Sequence, residues 1–244
     1  MKIALIGIVG AASLVASADA GFLGFVASAR NVGGNTIIDV YAGVQNASDK
    51  FLNVYDLTSN GVFVQKAGNA TKTWKPDTTN FTSTRSTADD SFMTAGGTNF
   101  GDPTGDFYAS SNSNADPNFT GTSWNGNPAS APATTIPALA GWYTGDPTSS
   151  DNNAESLAGL IGRVNGTGAA SANFGIWCAH LVLAGNNKVI GTDFTFSAFA
   201  SIKDGVTGQT TQGGSGGSGF VPVPAPGALA LLGVAGLASR RRRA

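Results

Sequence analysis

Ten consecutive residues, Phe174 to Leu183, carry no Asp, Glu, Lys or Arg, and their apolar members do not alternate with polar ones. A strand half in water reads with a period of two. An apolar run of this length without alternation is predicted to be a strand covered on both faces. Gly185-Asn186-Asn187 turns the chain into Lys188–Phe199, where Phe194, Phe196 and Ala198 lie on one side. Cys178 and His180, two apart in the apolar run, are expected on one face of it.

The other end of the body reads the same way. Thr36–Val44 is rich in β-branched residues, Asn46–Lys50 is turn-like, and Phe51–Leu57 is a second strand. Ser59-Asn60-Gly61 predicts a tight hairpin into Val62–Gln65. Between these strand-rich ends, residues 66–150 are crowded with Gly, Pro, Asn, Asp, Ser and Thr and hold scattered aromatics, so short strands and long ordered loops are expected there. One helix is predicted, capped by Asp151, with Glu155 in its first turns and Leu157, Leu160 and Ile161 on one face; Asn165-Gly166 would end it. Together these signals predict a mainly β fold, an antiparallel β-sandwich of jelly-roll type with long loops.

Charge and cysteine narrow the classes. Charged residues make up 12% of the chain, about half the usual share. Outside the two ends the balance is nine basic against 14 acidic residues. That excess of acid argues against a nucleic-acid partner, which calls for basic patches. The single cysteine, Cys178, rules out an internal disulfide, so the body depends on strand pairing and packing.

The ends predict export. Met1-Lys2, an apolar stretch from Ile3 to Val15, and Ala18-Asp19-Ala20 form a signal peptide over residues 1–20, a signal helix with cleavage before Gly21 by signal peptidase. A β domain is expected over 21–206 and a flexible Gly/Ser-rich linker over 207–220. Residues 221–244 have three parts: Val221-Pro222-Val223-Pro224-Ala225-Pro226, an apolar run from Gly227 to Ala238, and Arg240-Arg241-Arg242-Arg243. Twelve apolar residues make a helix of about 18 Å, short against about 30 Å of hydrocarbon. The arginines are expected to stay on the cytoplasmic side and to snorkel.

This ordered ending resembles the PEP-CTERM sorting signal of exported bacterial proteins, with Ala225 where the family's name-giving triplet has Glu. The resemblance covers about a tenth of the chain. It implies recognition of Val221–Pro226 by an exosortase-like membrane enzyme and removal of the apolar helix. The precursor would be held in the cytoplasmic membrane, and the mature protein placed in the cell envelope or outside the cell.

Chemistry in the body is sparse. His180 is the only histidine, so a multi-imidazole metal site is impossible and any Ser-His-Asp triad must use it. Cys178 beside His180 reads as a buried small residue next to a satisfied histidine rather than a nucleophile with its base. Asp102, Asp106, Asp146, Asp151 and Glu155 lie in oxygen-rich loops of a kind that can bind Ca²⁺. Trp74, Trp124 and Trp142 sit in loop-like contexts where aromatics either stack on sugars or pin loops to a core. The leading reading is a non-enzymatic surface or matrix protein. A carbohydrate-binding module of the envelope, with extracellular polysaccharide as partner, is the alternative; a secreted hydrolase comes third. The first predicts buried tryptophans, the second exposed ones, and the third a pocket joining His180 to a nucleophile.

Overall fold

The computed structural model describes residues 21–66, 74, 85–96, 134–136, 138, 140–144, 148, 154–160, 162–165, 172–215 and 221–222. Among these the chain is mainly β, with no helix. The strands are β1 (Gly24–Val32), β2 (Asn35–Val44), β3 (Lys50–Ser59), β4 (Phe92–Met93), β5 (Ala140–Tyr143), β6 (Glu155–Ser156), β7 (Arg163–Asn165), β8 (Phe174–Ala184), β9 (Phe196–Lys203), β10 (Thr210–Ser215) and β11 (Val221–Pro222). They form two antiparallel sheets. One runs β11-β7-β1-β2-β8-β4, with β6 also on β8, and the other runs β10-β9-β3-β5.

β1 and β2 form a hairpin closed by Gly33-Gly34, with Val32 paired to Asn35. Both glycines have positive φ, 60° and 87°, which only a two-glycine loop adopts without strain and which matches the twist of the flanking strands. β1 was not foreseen from the sequence. Its alternation uses alanine and serine as often as large apolar residues, so its period is faint.

β2 and β8 are the centre of the larger sheet and are buried on both faces, as the non-alternating run Phe174–Leu183 predicted. On one face, Ile38, Val40 and Ala42 of β2 and Ile176, Cys178 and Leu181 of β8 join a cluster that includes Val54 and Leu57 of β3, Trp142 of β5 and Ala198, Ala200 and Ile202 of β9. Both sheets contribute to this core. On the opposite face a smaller cluster gathers Val26, Tyr41, Phe92, Leu157, Ala172 and Trp177. Each large apolar side chain so enclosed contributes about 1.5–3 kcal/mol relative to exposure.

The register of β2 on β8 slips between Val40 and Tyr41: Val40 pairs with Ala179 and Tyr41 with Trp177. Cys178 is the extra residue of this bulge. An inserted residue reverses the alternation beyond it, so Cys178 faces the shared core while Trp177 and His180 face the other way. Cys178 and His180 therefore do not share a face, contrary to the expectation from their spacing.

Four further expectations are corrected. The helix after Asp151 is absent from the described residues: Glu155–Ser156 pairs with β8, the Leu157 amide donates to the Asn173 carbonyl at 2.9 Å, and Gly159 and Gly162 take positive φ. Val62–Gln65 is not a hairpin strand; the Phe63 amide bonds to Thr134 O and the Val64 amide to Val182 O, each at 2.7 Å, and Phe63 is buried against Trp74 and Phe194. The segment after Gly185-Asn186-Asn187 turns again at 191–193 before β9 begins at Phe196. Finally, the expected linker contains a strand: β10 pairs residue for residue with β9 from Thr210↔Lys203 to Ser215↔Ala198. Gly213 lies so close to Phe22 that an added Cβ would come within 2.9 Å of its ring, a contact that low-complexity composition does not reveal.

Candidate functional site

A group of ion-paired side chains sits on the face of β2 and β8 turned away from the shared core. Its centre is Asp39, a single charge in Ile37-Ile38-Asp39-Val40 and 1% exposed. Antiparallel pairing places Asp39 directly opposite His180, with His180 Nδ1 2.7 Å from Asp39 Oδ1. The Trp177 indole N–H donates to the same Oδ1 at 3.1 Å and to Ala179 O at 3.0 Å. Arg30, from β1, donates to Asp39 Oδ2. One carboxylate thus collects three side chains from β1 and β8.

The segment 85–96 covers this cluster. Its Thr87 carbonyl lies 2.8 Å from His180 Nε2, and the Ala88 carbonyl accepts from Asn35 Nδ2 at 2.7 Å. Ser91 Oγ accepts the Val182 amide at 2.9 Å and donates to Val64 O at 2.8 Å. The Thr94 and Gly96 amides donate to Cys178 O and Trp177 O. Arg85 donates through both terminal nitrogens to the Glu155 carboxylate, and its carbonyl accepts from Arg30. The Arg85 guanidinium also stands 4.7 Å from the Trp177 ring, a cation–π contact of about 1 kcal/mol. The His180 ring stacks on Phe92 at 4.7 Å and 18°.

Burial alone would push the Asp39 carboxyl up, but the charges and hydrogen bonds of His180 and Arg30 outweigh it and hold it below the usual value. Asp90 has the opposite outcome. Burial dominates and, with Asp89 nearby, pushes it up to about 7 despite the Lys66 amide that donates to it at 3.1 Å. Tyr41 is raised, chiefly by burial and then by Asp39. Burial also raises Cys178, whose thiol donates to Val40 O at 3.2 Å.

Chemically this arrangement is a clamp built of hydrogen bonds and ion pairs. Each His180 ring nitrogen faces an acceptor, Asp39 on one side and a backbone carbonyl on the other, and the ring is fully buried. The nearby Ser91 hydroxyl is occupied by two backbone groups. The thiol of Cys178 points to the opposite face of the strand.

Elsewhere, a cleft of about 320 Å³ opens at the β3–β9 end of the smaller sheet, lined by Ser48, Lys50, Thr148, Lys203, Asp204 and two glycines. Lys50 and Lys203 lie directly opposite each other. Neither was singled out from the sequence, because only strand pairing brings them together.

No known protein family, no curated protein and no solved structure matches the chain.

The remaining sequence-predicted positions are distributed as follows. Val221 and Pro222 form β11, paired with Asn165 and Val164 of β7; proline is tolerated at such an edge because it donates no ladder bond. Val223, Pro224, Ala225 and Pro226, Arg240 to Arg243, the apolar run, and Ala18 and Ala20 lie outside the described residues, while Gly21 lies at their start. Trp74 and Trp142 are buried, at 1% and 0% exposure, so neither offers a ring face to a sugar; Trp142 donates to Thr94 O at 3.0 Å. Trp124, Asp102, Asp106, Asp146 and Asp151 are outside the described residues. Glu155 is held by Arg85, and no group of three or more His, Cys, Asp or Glu side chains placed to hold a metal occurs among the described residues.

Proposed function

We propose that this chain is an exported, non-enzymatic cell-surface or extracellular-matrix protein, delivered as a membrane-held precursor and released from its anchor by an exosortase-like enzyme. The observation that carries the reading is the ordered set of Val221–Pro226, the apolar run Gly227 to Ala238 and Arg240 to Arg243, together with the signal-peptide pattern of residues 1–20. The arginines resist transfer across the bilayer, so the body lies on the far side from them. The apolar core shared by the two antiparallel sheets supports a β-sandwich body, with jelly-roll connectivity as the finer form.

One feature of the body favours display over catalysis. His180 is sealed between Asp39, Thr87 and Phe92, without access for a substrate. The start of the sorting motif is part of a sheet edge, so the stretch from Val223 onward is what a processing enzyme would read.

Mass spectrometry of the mature protein from its native host tests the proposal. A C-terminus near Pro226 is expected. A mature chain that still carries Arg240 to Arg243 would reject processing, and retention in the envelope of a variant lacking residues 227–244 would reject the anchor.

A further inference from the structure

A strand at the edge of a sheet offers unpaired amides and carbonyls to any other strand. Natural sheets blunt such edges with brevity, proline, charge or a bulge. Among the described residues, every edge but one is blunted in this way. β4, β6 and β11 are each two residues long, and β11 ends in Pro222. β5 has four residues and meets β3 with a register that slips between Val54 and Leu57. β10 differs from all of these. Its six residues, Thr-Thr-Gln-Gly-Gly-Ser, pair with β9 without a break from Thr210↔Lys203 to Ser215↔Ala198. It holds neither proline nor charge, and from Gly205 to Ser239 the chain has no Asp, Glu, Lys, Arg or His at all. No described strand covers its outer side.

The phase of the β9–β10 ladder decides which backbone groups point to that open side. The Asp204 amide donates to Gln209 O at 2.8 Å, so 204 and 209 are a hydrogen-bonded pair. Bonded and non-bonded pairs alternate along an antiparallel ladder. Thr211, Gly213 and Ser215 therefore spend their amides and carbonyls on Ile202, Ala200 and Ala198, while those of Thr210, Gln212 and Gly214 point away from β9. The side chains alternate across the sheet as well. Gly213 lies against Phe22, which packs on the core, so Gln212 stands on the opposite face, exposed.

We infer that the edge of β10 is an interface for a second copy of this chain, formed by antiparallel pairing of β10 with β10 about a two-fold axis at Gln212. The outward groups are symmetric about that residue. With Gln212 opposite its own copy, Thr210 falls opposite Gly214 of the second copy and Gly214 opposite Thr210, so all three outward positions meet outward positions and exchange backbone bonds. The side chain on the axis suits a self-pairing, since a Gln amide both donates and accepts. The absence of charge suits it too, because a two-fold axis sets like residues against like and any charge at its centre would meet its own sign. The four-stranded sheet then continues across the axis into its copy. A contact of this length is well below the roughly 1,000 Å² of a stable complex, so the association is reversible. It stands on the sheet edge alone and does not depend on export or on the tail.

Sedimentation equilibrium of the full chain in detergent micelles, which cover the apolar run Gly227 to Ala238, tests this inference. The protein mass should rise from one copy toward two as concentration increases. Gln212→Lys sets two like charges on the axis and should raise the dimer Kd about tenfold. Gln212→Pro removes an amide that points to the open edge rather than to β9, so it should abolish association while native circular dichroism is kept. Val189→Lys, at an exposed position away from β10, should change nothing. An equimolar mixture of Gln212→Lys and Gln212→Glu should associate more tightly than either variant alone, a response that pairing through the apolar tail would not give. A single-copy mass at every concentration, association unmoved by Gln212→Lys in a variant of native circular dichroism, or a mixture no tighter than its components would overturn the proposal.

Discussion

His180 and Asp39 face each other across β8 and β2, 2.7 Å apart and almost completely buried. The carboxylate also receives Arg30 and Trp177, and the imidazole reaches the segment 85–96 through Thr87 O. The pair thereby ties three strands and a covering segment into one polar knot on the back of the larger sheet.

Removing one partner should be costly. Asp39→Asn or His180→Ala leaves buried polar groups uncompensated, and a loss of about 3–5 kcal/mol is expected, as for other broken buried pairs. A double replacement by apolar residues, Asp39→Leu with His180→Phe, should cost less than the sum of the single changes. Urea unfolding of the single and double variants measures this, and strict additivity would refute the coupling.

The acid limb of stability should depend on Asp39. Its folded value lies below 3.8. Its contribution is therefore fully present above the ordinary carboxylate value and is lost as pH falls through the lower folded one. Thermal midpoints followed downward from pH 5 should fall for the parent protein and fall less steeply for Asp39→Asn.

Asp90 should act in the opposite direction. Its value rises from 3.8 unfolded to about 7 folded, so its contribution is greatest below pH 4 and is lost as pH rises to about 7. Asp90→Asn should therefore gain stability relative to the parent from about pH 4 upward, with the difference levelling off above pH 7. An unchanged difference between pH 4 and pH 8, measured by chemical unfolding, would contradict the burial of Asp90.

Hydrogen exchange should distinguish strand from linker over residues 210–215. Pairing of β10 with β9 predicts amides in this stretch protected well beyond coil values, whereas a free Gly/Ser/Thr/Gln linker would exchange at coil rates. Cys178 offers a parallel check: buried and with its thiol raised, it should resist alkylation until the protein unfolds.

Local pattern carried a good part of this reading. The β-branched run of β2, the apolar run of β8 and the Asn- and Gly-marked turns predicted strands that are present, because period, turn chemistry and burial are written in neighbouring residues. Where prediction failed, a distant partner decided the outcome. Leu157, Leu160 and Ile161 have helical spacing, but Glu155 is taken by Arg85 and the Leu157 amide by Asn173. Residues 210–215 have a linker's composition, yet an open edge of β9 recruits their backbone, whose hydrogen bonds are indifferent to side chain.

The sequence by itself determined the β character, the lack of an internal disulfide and the acidic balance of the body, since each depends only on residue type and order. Tertiary structure alone decided which side chains meet. The bulge at Cys178 sends His180 to Asp39 instead of leaving it beside the thiol, and the bulge after Phe51 lines Lys50, Asn53 and Tyr55 against Lys203, Ser201 and Phe199. One extra residue in a strand reverses every face beyond it, and whether it is accommodated depends on the register of a partner far away in the chain.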